Sequence, residues 1–102
     1  MKNVVLKVLI CLMSILNTGL VGAADPDKGN KIYATNCEIC HAADGQGVVV
    51  GAPNFKIDNN LIKPDTELFN FISSGKGMMP AFRGMLSEQD ILDVISHLRN
   101  LN

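Results

Sequence analysis

The chain has 102 residues, 47% of them hydrophobic, with nine Lys and Arg against ten Asp and Glu for a formal net charge of −1. With no basic run and no basic patch interleaved with aromatics, nucleic-acid binding is excluded as a function class. A chain of this length is one small domain, which buries little apolar surface relative to its conformational entropy and commonly needs a staple.

Residues 1–24 read as a cleaved export signal. Lys2 and Lys7 supply positive charge, Val8 to Leu16 a short apolar run broken by Ser14, and Val21-Gly22-Ala23-Ala24 the small residues for cleavage. The run is too short for the ~20 residues of a comfortable membrane span, although an uncleaved anchor is the competing reading. Cys11 lies inside the run and needs no role of its own. Cleavage near Ala23/Ala24 leaves residues 25–102, with seven Lys/Arg against ten Asp/Glu, as an exported acidic domain.

The mature chain opens on a predicted helix from Asp25 to about Asn36. Asp25 is its cap, Pro26 occupies the first helical position, and Asp27 places negative charge near the positive end. Ile32 and Tyr33 are its apolar members. Gly29, on the same side, predicts close approach of another helix, with a merely tolerated helix glycine as the bland alternative.

Cys37-Glu38-Ile39-Cys40-His41 follows. On a helical turn, positions i, i+3 and i+4 share a face, so both thiols and the imidazole can address one flat object. This is the attachment signature of a c-type haem: two thioethers from Cys37 and Cys40, and His41 on the iron. A zinc site closed by protein groups needs four ligands, and downstream only His97 remains to complete a set. A thioredoxin-like centre needs a strand before the motif, where a helix is predicted. A disulfide between Cys37 and Cys40 closes a tiny loop, where its entropic gain is least. The covalently held haem would itself be the staple that so small a domain needs.

Two glycines at turn spacing, Gly45 and Gly47, make the next segment a loop, and Val48-Val49-Val50 has no partner run with which to pair. No sheet is predicted. Pro64-Asp65-Thr66-Glu67 starts a second helix, with Leu68, Phe69, Phe71 and Ile72 on a broad apolar face assigned to core packing and Gly75 as its stop.

Gly75-Lys76-Gly77-Met78-Met79-Pro80-Ala81-Phe82 comes next. Pro80 biases Met79 towards extended backbone and the glycines permit unusual turns, so a thioether can be aimed inward from a loop. Thioether sulfur is a soft ligand suited to haem iron. Met79 is the leading second axial candidate; Met78 and Met85 compete, and the bland reading makes all three gap-filling core residues. The last helix begins at Ser87, whose spacing to Asp90 resembles a capping box, and Ile91, Leu92, Val94, Ile95, Leu98 and Leu101 recur at helical spacing. It should pack on the first mature helix. His97 falls near the apolar stripe as a packing histidine, with an alternative ligand or a proton-linked role left open.

In this order of elements the chain resembles the small class I c-type cytochromes of bacterial periplasms from about Asp27 to Leu101. The resemblance implies an all-α cytochrome c fold, three to four helices around one covalent haem c. It implies that Met79, immediately before proline, binds the iron with His41. It also implies that the Pro53 carbonyl of Gly-Ala-Pro accepts a hydrogen bond from the His41 imidazole. His97 departs from the family, which often has an aromatic residue at the crossing of the first and last helices; an imidazole adds a polar edge that needs a partner.

The function implied is that of a periplasmic one-electron carrier, not an enzyme. It would be a monomer without a membrane span in its mature part, passing electrons between protein donors and acceptors at a haem edge ringed by Ile39, Met78 and Ala81. The alternatives are a haem subunit of a larger oxidoreductase and a small haem peroxidase. The latter needs an open iron position and distal acid/base groups, for which His97 is the one untethered imidazole.

Overall fold

A computed structural model describes residues 1–14 and 22–101. Ile15 and Leu16 of the apolar run and Val21 of the predicted cleavage segment lie outside the described residues. The described elements are helical: α1 (Lys2–Ser14), α2 (Pro26–Asn36), the four-residue α3 (Glu38–His41), a 3₁₀ turn (Asn59–Ile62), α4 (Asp65–Ser74) and α5 (Glu88–Arg99). Among them no helix is long and apolar enough to cross a membrane.

Local chemistry sets the helix ends. The Asp25 carboxylate accepts from the backbone N–H groups of Asp27 (3.0 Å) and Lys28 (3.2 Å), which otherwise lack intrahelical partners. α4 ends at Gly75, whose φ of 68° lies in the left-handed region. A Cβ there would stand 2.5 Å from the Met79 carbonyl oxygen, so only glycine admits the following loop. α5 starts with a reciprocal capping box. Ser87 Oγ accepts from the Asp90 N–H at 3.0 Å, and the Asp90 carboxylate accepts from the Ser87 N–H at 3.1 Å.

The core is built where α5 crosses α2 and packs against α4. Tyr33 comes from α2, Leu68 and Ile72 from α4, Phe82 from the connecting loop, and Ile91, Val94, Ile95 and Leu98 from α5. The crossing of α2 and α5 is backbone to backbone, because Gly29 has no side chain to hold them apart. Asp93, fully buried beside it, accepts from the Asp25 N–H (2.8 Å) and the Gln89 side-chain amide (3.0 Å).

One apolar assignment differs from the sequence reading. Phe71 is not in the core; it is 39% exposed, turned to the side where Lys63 lies over its ring. Leu68 and Ile72 enter the cluster with α5, while Phe71, on the same side of α4, lines the cavity without entering that cluster.

Candidate functional site

α2 gives way at Cys37, the cap of α3, so Cys37, Cys40 and His41 lie at i, i+3 and i+4 of one short turn. After His41 the chain reverses at Ala42, the only described non-glycine residue with positive φ (63°). The turn is fastened from both sides. The Tyr33 hydroxyl donates to the Ala42 carbonyl at 2.6 Å. The N–H groups of Gly47 and Val48 donate to the carbonyls of His41 and Cys40, each at 2.9 Å. Burial first, then the nearby Cys37, Glu38 and Asp44, pushes the Tyr33 phenol up to about 12, so it remains a donor.

A second loop faces this turn across a cavity. Lys76 and Met79 exchange both backbone hydrogen bonds at 3.0 Å, closing a tight turn over Gly77-Met78, and the N–H of Phe82 ties the far side to the Ile72 carbonyl at 3.1 Å. The turn sorts the three methionines. Met78 is 88% and Met85 65% exposed, whereas Met79 is partly buried against the core.

The cavity between these elements measures about 620 Å³ and is lined mainly by apolar side chains. Cys37, Cys40, His41, Pro53 and Met79 all line it, together with Phe82. His41 stacks on Phe55, with ring centroids 4.9 Å apart and planes inclined by 17°. Burial lowers the basicity of His41, which keeps the imidazole neutral, the form that ligates a metal. Burial, with Cys40 adding to it, pushes the Cys37 thiol up to about 11. Cys37 and Cys40 are free thiols, not joined to each other.

The His41 Nδ1 atom is buried and makes no hydrogen bond. The bond to the Pro53 carbonyl implied by the resemblance is therefore not formed in this structure. The Pro53 and Ala52 carbonyls instead press towards Gly47, where a Cβ would stand 3.0 Å from each oxygen. His97 is at the α2/α5 crossing, its ring 5.1 Å from that of Tyr33. Its Nε2 is buried and unpartnered, the polar edge without a partner that the sequence warned of. The described residues contain no cluster of three His, Cys, Asp or Glu side chains spaced to hold a metal ion between them.

Two features had no clear local signature. Arg99, at the end of α5, reaches the carbonyls of Leu61 and Lys63 (2.6 Å to the latter) and makes a forked contact to Asp65 at 3.0 and 2.7 Å. Asp93 is the other: its place in the apolar stripe of α5 hinted at burial, but its partner across the helix pair could not be read.

These residues fit a flat, apolar, covalently held iron porphyrin. Free thiols stand at the wall of an apolar cavity, a neutral imidazole stands beside them with an orphaned buried nitrogen, and of the two methionines at the wall, Met78 and Met79, it is Met79 that is partly buried against the core. Such a cleft between helices defines a haem-holding redox protein.

Comparison with known proteins agrees. The family described as cytochrome C oxidase, cbb3-type, subunit III matches residues 24–98. The cytochrome c6 of Gracilaria tenuistipitata var. liui is 34% identical, covering 90% of this chain and 87% of that protein. That of Leptolyngbya boryana is 39% identical over 70% of this chain and 86% of its own. The solved cytochrome c6 of the diatom Phaeodactylum tricornutum superposes with a TM-score of 0.63 at 30% identity, covering 74% of this chain and 91% of that one. KustC0563, a c-type cytochrome 24% identical, shares the fold with a TM-score of 0.67, covering 72% of this chain and 96% of its own.

The chain belongs to the small class I c-type cytochromes. Its cofactor is covalent haem c, its function is electron transfer between redox partners, and it is not an enzyme.

Proposed function

We propose that Cys37 and Cys40 carry the haem through thioethers, that His41 and Met79 are its axial ligands with Pro53 in the enclosing wall, and that the chain is a soluble periplasmic carrier. The observation that supports this reading is the convergence on one cavity of the cysteine pair, His41 and the inward methionine. The bound haem supplies a one-electron couple at its iron.

The protein's part is to hold both axial groups still. His41 is anchored by its place on α3 and by Phe55, and Met79 by the Lys76 turn, so neither needs to move when an electron arrives. Phe82 and the apolar walls exclude water, which reduces reorganisation. Met78 (88% exposed) lines the cavity and offers an apolar contact at its mouth, where a partner would dock, and Ile39 on α3 is 80% exposed.

Replacing Met79 with Ala tests the site. The variant should lose the sulfur-to-iron charge-transfer band and fall in potential, since axial ligands tune haem potentials over ~0.8 V. An unchanged spectrum and potential would remove Met79 from the iron. Cleavage of the export signal is tested by sequencing the amino terminus of the mature protein, which should begin at Ala24 or Asp25; an intact Met1 would overturn cleavage in favour of the uncleaved anchor.

A second reading, a haem subunit of a larger oxidoreductase, is favoured by the family match, whose description names an oxidase subunit. The near full-length similarity to single-domain cytochromes c6 favours the free monomeric carrier. Co-purification with a catalytic chain at fixed stoichiometry would decide for the subunit.

A further inference from the structure

We propose that Lys63 supplies the cation for a haem propionate, and that Arg99 positions it there. This inference rests on the haem site proposed above. Haem carries two carboxylates on its rim, and a carboxylate taken out of water needs a cation or donors. Among the described lining residues the charged side chains are Lys63 and Lys76; the other titratable ones are Tyr33, Cys37, Cys40 and His41.

Lys76 belongs to the methionine turn through its paired backbone bonds with Met79, and its side chain is exposed. Lys63 is placed differently. It follows the 3₁₀ turn on the cavity wall, and its Nζ lies 6.0 Å from the centroid of Phe71, itself a lining residue. Its present partner is Glu67 at 3.1 Å, one turn into α4. The two side chains are 41% and 53% exposed, so the pair is a weak one and exchanges readily for a carboxylate held in the cavity.

The backbone of Lys63 is held with unusual care. Arg99 spends its fork on the carbonyls of Leu61 and Lys63 and on the Asp65 carboxylate, three acceptors within five residues and 34–38 positions away in sequence. Arginine suits this because its donors form a rigid planar fork. Those contacts pin the segment from Leu61 to Asp65 against the end of α5, and Lys63 is the charged cavity-lining residue within it.

The test uses protein purified with covalent haem and an intact sulfur-to-iron band. Deprotonation of a propionate favours ferric iron, so the reduction potential falls as pH rises through the propionate pKa, and a neighbouring cation keeps that fall at low pH. Lys63→Gln should move the fall upward by about one pH unit with the band unchanged. Arg99→Met should move it the same way, and the double variant no further than Lys63→Gln alone. Arg99→Lys, which keeps the charge but loses the fork, replaces Arg99→Met if that variant does not accumulate. The remote Lys31→Gln should leave the fall in place.

An unmoved fall in Lys63→Gln, or an equal shift in the remote Lys31→Gln, overturns the assignment of Lys63. Additive shifts from Lys63 and Arg99 overturn the positioning role. Absence of covalent haem or of the band in the parent protein would sink the haem site itself, an outcome distinct from either.

Discussion

Gly29 of α2 lies directly against the backbone of Asp93 in α5: a Cβ on Gly29 would stand 1.9 Å from the Asp93 carbonyl oxygen and 2.4 Å from its carbon. Both obstacles are backbone atoms of a buried helix, and neither can rotate away. Gly29→Ala should therefore force α2 and α5 apart and cost about 3 kcal/mol or more. Equilibrium denaturation of the haem-loaded protein reads the loss; wild-type stability would mean the helices do not cross at this point.

His97 carries a buried nitrogen without a partner, and burial lowers its basicity. A histidine with a depressed native pKa binds its proton first in the unfolded chain. Its penalty is absent above the ordinary value of about 6.5 and grows as pH falls below it. His97→Phe removes both the orphan nitrogen and the titration. The variant should gain about 1 kcal/mol at neutral pH and lose less stability on acidification. Parallel stability–pH curves for the two proteins would show that His97 does not titrate with folding.

Ala42 holds φ 63° and ψ 162°, a region populated almost solely by glycine and costing about 1–3 kcal/mol for other residues. The Tyr33 hydroxyl and the turn after His41 impose it. Ala42→Gly should raise stability by about 1 kcal/mol, after the larger entropy loss of glycine is deducted. A melting temperature at or below that of the parent would contradict the strain.

The Ser87 cap should be worth about 1 kcal/mol. Ser87→Ala leaves the Asp90 N–H unpaired at the start of α5, and hydrogen exchange should quicken in that first turn while the haem spectrum is unchanged. Protection equal to the parent's would show that the cap contributes nothing.

Burial of the Asp93 carboxylate depends on the Asp25 N–H and Gln89 amide that it accepts from, with Lys28 Nζ further off at 3.8 Å. Asp93→Leu should disorder the start of α2, detected as faster exchange at Asp25–Lys28. The change leaves the Asp25 N–H and the Gln89 amide without their acceptor, so the cost should be about 1–3 kcal/mol.

What lay in the sequence was whatever neighbours a few positions apart decide. Asp25 with Pro26, Ser87 with Asp90, and Gly75 after an apolar face marked three helices, because caps and stops act within one turn. Cys37, Cys40 and His41 announced a haem for the same reason, since i, i+3 and i+4 share a face in any fold. Tertiary structure decided what depends on residues brought together from far along the chain. It turned Met79 inward while Met78 and Met85 face water, moved Phe71 out to the cavity wall, left His41 Nδ1 without the Pro53 carbonyl, and joined Arg99 to Lys63 and Gly29 to Asp93. Those outcomes rest on how α2, α4 and α5 pack, and periodicity specifies the buried face of each helix without specifying what it meets.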